Sequence, residues 1–566
     1  MTTTDAQPAA PAAPRAREVV LDAAALTRCR RRIHLDHDPA AAGAPQAPPD
    51  PVGEQRRADA ASHRARIGEQ LAGLADRVVV APGAHVDRVA ATAAAIAAGA
   101  QFVWGATLPT AGGRSGGAEL LVRLPEGGYV PVIVVRHRIS DPGEGAVTSP
   151  VPEPSPLAAA SDPRRRVRSQ PRDLLRLAHL HEQLADQGWG PPPQPGATFG
   201  GVIGMDADVV VWHDLADGLW PASGEGVRST LAEYRVRFAD RIAVAEAARS
   251  GGPALAVPSR IMECRRCPWW PRCEAELVAA DDVSLVVRGE TAAMLRGIDV
   301  TTVAGLAALD PAPPAPIAMA DPVFADMVAL ARARRSGLSV VRRVPRVEVP
   351  RADVEIDVDM ESFGESGAYM WGTLLSHPGG AIAGDETPGY RAFATWDPLP
   401  TLDEARSFGE FWQWFTGVRA RALATGRTFA AYCYNEQAEN RWLLDSARRF
   451  AGRPGIPGLS EVEEFIADPC WIDLYAVVDE WFLCAQGKGL KRIAPAAGFS
   501  WHDPEAGGEN SMRWYRAAVG IDGEEPDPVQ RERLLTYNSD DVHATHAVRN
   551  WMTSPALEEV PLAADL

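Results

Sequence analysis

Residues 354–363, VEIDVDMESF, constrain this chain more than any other segment. Apolar Val354, Ile356, Val358 and Met360 alternate with Glu355, Asp357, Asp359 and Glu361. A period of two is that of a β-strand, and it sets all the carboxylates on one face. Like charges lined up on one face repel. Such a row is tolerable when water solvates it, or useful when it holds a cation. Hard divalent cations such as Mg²⁺ take carboxylate oxygens.

The residues downstream continue the pattern. GAYMWGTLL (367–375) and GYRAFATW (389–396) read as two further strands. A helical pattern follows at about 402–424, then a strand at TFAAYCY (428–434) and a helix at about 436–450. WIDLYAVV (471–478) reads as another strand, and residues 527–552 as a terminal helix. Within that helix Tyr537 and Asp541 are four apart and share a face.

Three meandering strands followed by alternating helix and strand resemble an RNase H-like fold. The motifs resemble the DEDD exonuclease superfamily, most closely the YprB-type domains attached to RecB-like nucleases. On that resemblance the D-x-E of the first strand is Asp359 and Glu361. The second motif is Asn435 followed by Glu439, with Trp442 and Leu443 packing behind, and the third is Tyr537 with Asp541. Glu439 stands where most of the superfamily has Asp. Asp473 matches an acid that is usually structural. The resemblance implies two Mg²⁺ or Mn²⁺ ions flanking the scissile phosphate, with Asp359, Glu361, Glu439 and Asp541 as ligands. Tyr537 would orient the attacking water. Lys488, Lys491 and Asn435 are candidates for contact with nucleic acid.

The N-terminal half carries a different signal, Cys264-x2-Cys267-x5-Cys273, with Cys29 far upstream. One early cysteine and a late trio resemble the iron–sulfur nucleases of the RecB family. There a [4Fe–4S] cluster ties the ends of the domain together. Four thiolates suit such a cluster, and tetrahedral Zn²⁺ is the alternative. In the same family His63 matches the upstream His, and Glu119 stands at the first acid of the PD-(D/E)XK signature. An acid near Ile133 and a Lys near Val135 would complete it. Neither is present, and no lysine precedes Lys488. Arg136 or Arg138 cannot take every role of Lys. This half is therefore expected to be a RecB-like, restriction-endonuclease-type fold with a degraded active site that serves binding.

Between the two, LRGIDVTTVAGLAALD (295–310) resembles half of a helix-hairpin-helix, whose turn offers backbone N–H groups to phosphates. Six arginines at 332–346 follow without an acid, and could track a nucleic-acid backbone. The expected fold class is α/β throughout. The expected organisation is a disordered Ala/Pro tail at 1–16, a RecB-like module at 17–280, a helical connector at 285–345 and an RNase H-like domain at 350–556.

A net charge of −17 argues against non-specific coating of nucleic acid, but not against an enzyme that handles it in one groove. The seven cysteines are odd in number and unevenly spaced, which argues against a disulfide framework. No apolar run has the length of a membrane helix. The N-terminus lacks the hydrophobic core of a signal peptide, so a cytoplasmic location is expected. The expected function is a metal-dependent 3′–5′ exonuclease on DNA or RNA, with a role in DNA repair implied by the resemblance. The alternative is a non-catalytic nucleic-acid-binding scaffold.

Overall fold

The computed structural model describes residues 18–48, 51–221, 226–312, 323–521 and 523–566. The expected tail at 1–16 and residues 313–322 of the connector lie outside the described residues. The chain forms two compact units. One runs to Pro258 and adds Met262–Glu276, and the other comprises Ser259–Ile261 and Leu277–Leu566.

In the first unit α1 (Arg30–His37) and α2 (Pro51–Gln70) precede β1 (Arg77–Val79), α3 (His85–Ala97) and the meander β2 (Phe102–Ala111), β3 (Arg114–Arg123) and β4 (Tyr129–Val134). Short strands β5 (Ser140–Pro142), β6 (Ala146–Pro150), β7 (Ala160–Asp162) and β8 (Arg165–Val167) follow. Then come α4 (Pro171–Asp186), β9 (Phe199–Ile203), β10 (Val209–Asp214), the hairpin β11 (Gly218–Pro221) and β12 (Val227–Ser229), α5 (Thr230–Arg249) and α6 (Trp270–Ala279). Eight strands form one mixed sheet in the order β1-β2-β3-β4-β9-β10-β6-β7. The meander is antiparallel, and β9 returns parallel to β4 after α4. Both faces of the sheet are apolar, as a sheet covered on two sides requires. Leu120, Val122, Val130 and Val132 pack with Ile67 of α2 and Leu71 just beyond it. Leu121 and Ile133 pack with Leu175 and Leu177 of α4.

The second unit begins with α7 (Gly289–Gly297), α8 (Val303–Ala307), α9 (Phe324–Arg335) and β13 (Val340–Arg342). The first backbone N–H groups of α8 are bonded within the protein. The N–H groups of Val303 and Ala304 bond the carbonyl and carboxylate of Asp281 at 2.7 and 2.8 Å, and that of Gly305 bonds Thr302 Oγ1 at 2.9 Å. Three of the following arginines are also committed. Arg332 donates to the Ala307 and Leu309 carbonyls, Arg342 to those of Val560 and Pro345, and Arg343 pairs with Asp326.

Next come β14 (Val354–Ser362), β15 (Ala368–Ser376), β16 (Gly389–Ala394), α10 (Asp403–Ala424), β17 (Phe429–Cys433), α11 (Gln437–Arg449), α12 (Leu459–Ile466), β18 (Trp471–Asp473), α13 (Leu474–Trp481), β19 (Phe482–Cys484), α14 (Leu490–Ile493), α15 (Gly508–Val519) and α16 (Pro528–Met552). A five-stranded sheet has the order β16-β15-β14-β17-β18. The first three strands are antiparallel, and β17 and β18 run parallel to the central β14. The apolar face of β14 (Val354, Ile356, Val358, Met360) packs in one core with Phe408, Phe411 and Phe415 of α10 and Trp442 of α11. Each such buried side chain contributes roughly 1.5–3 kcal/mol. The opposite, acidic face meets α16.

The strand expected at 471–478 is three residues long. Asp473 ends it, because its side chain accepts the Tyr475 N–H at 2.8 Å and caps a helix. LYAVVDEW is therefore helical, since a short apolar run has no period that separates strand from buried helix.

Candidate metal centre and nuclease site

The four acids of β14 share a face but not a fate. Glu355 and Asp357 lie wholly buried against Arg549 of α16. Arg549 bonds Asp357 through Nε at 3.1 Å and a terminal nitrogen at 2.7 Å, and also pairs with Glu355. Arg351 closes on Glu355 at 2.8 and 3.0 Å. Asp359 and Glu361 have no such counter-ion among the described residues. Their hydrogen-bond donors are neutral: Asn538 Nδ2 to Asp359 at 2.8 Å, and Ser511 and Tyr369 to Glu361.

Helix α16 supplies the rest. Asn538, Asp541 and Arg549 recur at helical spacing along the face that runs over β14, so one helix both neutralises half the strand and adds a carboxylate to the other half. Ligand atoms of Asp359, Glu361 and Asp541 lie within 4.8 Å of one another. Burial, then the charges of Asp541 and Glu361, push the Asp359 carboxyl well above its usual range. Glu361 and Asp541 are raised too, with burial the largest cause for each. Three carboxyls, Glu361 and Asp541 buried and Asp359 half-buried, that repel one another with only the charge of Lys491 to offset them are a donor set that a hard divalent cation satisfies.

Glu439 sits in the first turn of α11, outside that set of three. It is buried, its Oε2 has no hydrogen-bond partner among the described residues, and burial pushes its carboxyl up to about 8. Its charge acts on Asp359. Asn435 lies just before α11 at φ 74°, exposed, with its N–H on Asp473 Oδ1 at 2.8 Å. Tyr537 is buried and hydrogen-bonds Asp541. Lys491 donates to the Tyr537 hydroxyl at 3.2 Å, with its ammonium 4.5 Å from the ring centroid. Lys488 instead pairs with Asp479.

Sequence reasoning missed Asn538, Ser511, Trp501, His502 and Asp540. Trp501 Nε1 donates to Asp541 at 2.6 Å, and His502 bonds Asp540. The double acid at 540–541 is the one trace of this arrangement in the sequence.

In the first unit Glu119 does not stand open to a cation. The guanidinium of Arg176 lies 3.0 Å from both its oxygens, and the Val134 N–H donates to it at 3.1 Å. Ile133, where the signature needs an acid, is wholly buried core. His63 is buried, bonded to the Gly204 carbonyl at 3.0 Å and to Arg66 at 3.1 Å, and burial lowers its pKa. Arg136 pairs with Asp59, and His137 with Asp173 at 2.8 Å.

The cysteine-bearing segments are brought together across the unit. Glu263 accepts the Cys29 N–H at 2.6 Å, Arg31 pairs with Glu276 at 2.8 Å, and Trp269 Nε1 donates to Asp36 at 2.6 Å. Cys267 and Cys273 pack with Trp269 and Leu35, and burial pushes both thiols up to about 11. Among the described residues no cysteine forms a disulfide.

Residues 459–553 match a family model described as the RNase_H superfamily. None of the curated proteins and no solved structure matches the chain. The matched residues hold Lys488, Lys491, Tyr537 and Asp541, and stop short of β14. The chain is mixed α/β, and its C-terminal part is an RNase H-like domain of nuclease type, for which nucleic acid is the substrate class. No helix among the described residues is long and apolar enough to cross a membrane.

Proposed function

We propose that the chain is a metal-dependent 3′–5′ exonuclease, of the YprB-type DEDD kind, with its catalytic centre in the C-terminal unit. The carrying observation is the convergence of Asp359, Glu361 and Asp541 on one point with no ion pair among the described residues and only the charge of Lys491 to offset them, while Glu355 and Asp357 on the same strand are neutralised. A surface that merely solvated its acids would not bury Glu361 and Asp541 against a third carboxyl. Asp359, Glu361 and Asp541 would hold Mg²⁺ or Mn²⁺, with Glu439 completing the set. The metal supplies electrostatic stabilisation of charge at the phosphate and a more acidic water. Asn538 fixes the Asp359 carboxylate, Trp501 fixes that of Asp541, and Tyr537 orients the water. Lys491 holds the Tyr537 hydroxyl in place.

The first unit serves, on this reading, as a RecB-like binding module that no longer cuts. Its helix, three-stranded meander, crossover helix and parallel strand (α3-β2-β3-β4-α4-β9) support the RecB-like fold. Arg176 fills the cation position on Glu119. A cavity of about 810 Å³ lined by Arg64, Arg88 and Glu119 adjoins one of about 420 Å³ lined by Arg136, Arg172 and Arg176. Cys29, Cys264, Cys267 and Cys273 would hold a [4Fe–4S] cluster. No three of their sulfurs gather within 4.8 Å among the described residues. A single Zn²⁺, with Zn–S of about 2.3 Å, needs them closer than a multi-iron cluster does.

The test is degradation of end-labelled single- and double-stranded DNA and RNA with Mg²⁺ or Mn²⁺ by wild type and Asp541→Ala. Stepwise shortening that needs metal and disappears in the variant supports the reading and names the substrate. Binding without cleavage of any substrate replaces it with the scaffold alternative, and cleavage that survives the substitution moves the active site elsewhere.

A further inference from the structure

The cavity of about 810 Å³ in the first unit holds two guanidiniums that no acid meets. Arg64 of α2 is half-buried there and forms no hydrogen bond or ion pair among the described residues. Arg88 of α3 has one partner, the Gly105 carbonyl at 3.2 Å, and its Nε is buried without any. The chain carries 74 acids against 57 lysines and arginines, so the pair is not left unmet for want of acids. The two acids of the lining are committed elsewhere. Arg176 lies 3.0 Å from Glu119, and Arg28 lies 3.7 Å from Asp22.

Helix α3 adds to this charge. Its N-cap, Ala84, makes no side-chain cap, and its first intrahelical bond is that of the Arg88 N–H. The N–H groups of His85, Val86 and Asp87 therefore have no partner among the described residues, and Gly83, His85 and Arg88 line the cavity. The unmet charge does not continue along the groove. The adjoining cavity is lined by Arg136, Arg172 and Arg176, and each of these pairs with an acid: Asp59, Asp173 and Glu119. A strand tracked by its backbone needs one free cation after another. Two guanidiniums and a helix N-terminus in one cavity match a phosphate monoester instead, which carries a charge of about −1.5 to −2 at neutral pH. The volume lies within the range of about 300–1,000 Å³ of small-ligand pockets. Val79, Pro82 and Trp104 give it an apolar wall for the group that bears the phosphate.

We infer that this cavity binds a nucleoside monophosphate group, with the phosphate on Arg64, Arg88 and the N-terminus of α3; this rests on the reading of the first unit as a binding module that does not cut. The group has two sources. One is a free mononucleotide, which stepwise hydrolysis in the C-terminal unit would release. The other is the phosphorylated 5′ end of a strand. Both present the same monoester on a nucleoside.

The experiment is calorimetric titration of the full chain, without added divalent metal. The probes are deoxyadenosine 5′-monophosphate, deoxyadenosine, and a short DNA strand with either a 5′-phosphate or a 5′-hydroxyl. Wild type is expected to bind at least one phosphorylated probe, and its unphosphorylated counterpart about 10-fold more weakly or worse. Binding of the mononucleotide names the first source, and binding of the phosphorylated strand alone names the second. Arg64→Gln and Arg88→Gln are each expected to weaken that binding about 10-fold or more. Arg64→Gln breaks no contact within the protein, so the fold is kept. Asp541→Ala is expected to bind as wild type does, which places the readout outside the C-terminal unit. Failure of both phosphorylated probes to bind overturns the inference. So does wild-type affinity in both arginine variants, or loss of binding in Asp541→Ala. A 5′-hydroxyl strand bound as tightly as the phosphorylated one also overturns it, and makes the cavity part of a track for a backbone. The binding-module reading fails by a separate measurement, metal-dependent cleavage that survives Asp541→Ala.

Discussion

Arg549 of α16 spans Asp357 with two hydrogen bonds, at 3.1 and 2.7 Å, and both side chains are wholly buried. That one guanidinium divides β14 into a neutralised half and a half that forms no ion pair among the described residues. Arg549→Met is expected to destabilise the C-terminal unit by about 3–5 kcal/mol, because Asp357 and Glu355 would lose their shared buried cation. Urea unfolding of the full chain followed by Trp fluorescence measures this.

Asp541→Asn is expected to act in opposite directions on stability and on function. Burial and mutual repulsion raise the carboxyls of Asp359, Glu361 and Asp541, so removing one charge relieves the metal-free cluster. The apo variant should melt a few degrees higher than wild type, as a gain of about 1 kcal/mol produces. Stabilisation by Mg²⁺ should vanish; a bound ligand at 100 times its Kd contributes about 2.7 kcal/mol. Thermal melts with and without Mg²⁺ check both effects.

Gly372 stands opposite Asp359 in the β14–β15 register, and a Cβ placed there would lie 1.7 Å from Asn538 Oδ1. Gly372→Ala is expected to push Asn538 off Asp359, cost about 1–3 kcal/mol through overpacking, and weaken Mg²⁺-dependent cleavage although it touches no carboxylate. A Mg²⁺ titration of activity separates weaker metal binding from a lower maximal rate.

Glu404 is wholly buried, and burial pushes its carboxyl up to about 7 although Arg449 opposes the shift. Between its unfolded value near 4.5 and that folded value the native state holds the extra proton. The stability this contributes is present below 4.5 and is lost as pH rises through 7. Wild type should therefore lose ground to Glu404→Gln on going from pH 4.5 to 8, by about 3 kcal/mol at most. Paired urea midpoints across that range would contradict this if the difference stayed flat or reversed.

Cys267→Ser should yield protein with little iron, no broad absorbance near 400 nm as isolated without oxygen, and unchanged cleavage of short substrates, if the cluster serves the binding module alone. Zinc in stoichiometric amount in wild type, with no iron, would replace the cluster with a single ion.

Much of the C-terminal site was legible because its spacing is local. The alternation over 354–361 placed Asp359 and Glu361 on one strand face, and the four-residue step from Tyr537 to Asp541 placed them on one helix face. Which acids would be neutralised was not legible, because that depends on the register of α16 against β14, a contact between residues some 190 apart in the chain. Asn538, Trp501 and His502 were missed for the same reason: an Asn inside a helix and a Trp-His in a loop carry no periodic mark. Asp473 misled because its capping role depends on where the strand stops. The bond from the Ala304 N–H to the Asp281 carboxylate was not legible either, because it joins residues 23 apart across a loop.

The bond from the Cys29 N–H to Glu263 joins residues separated by 234 positions and fastens the first helix of its unit to the last segment of that unit. During synthesis, α1 therefore emerges long before anything it can close upon. Chains that stop short of Glu263 would leave Arg31, Asp36 and Cys29 without their partners and the early thiol uncovered. Completion of this unit is set by the ribosome's passage beyond residue 276, so a messenger cut short there would yield an open, oxidation-prone product instead of a smaller working module.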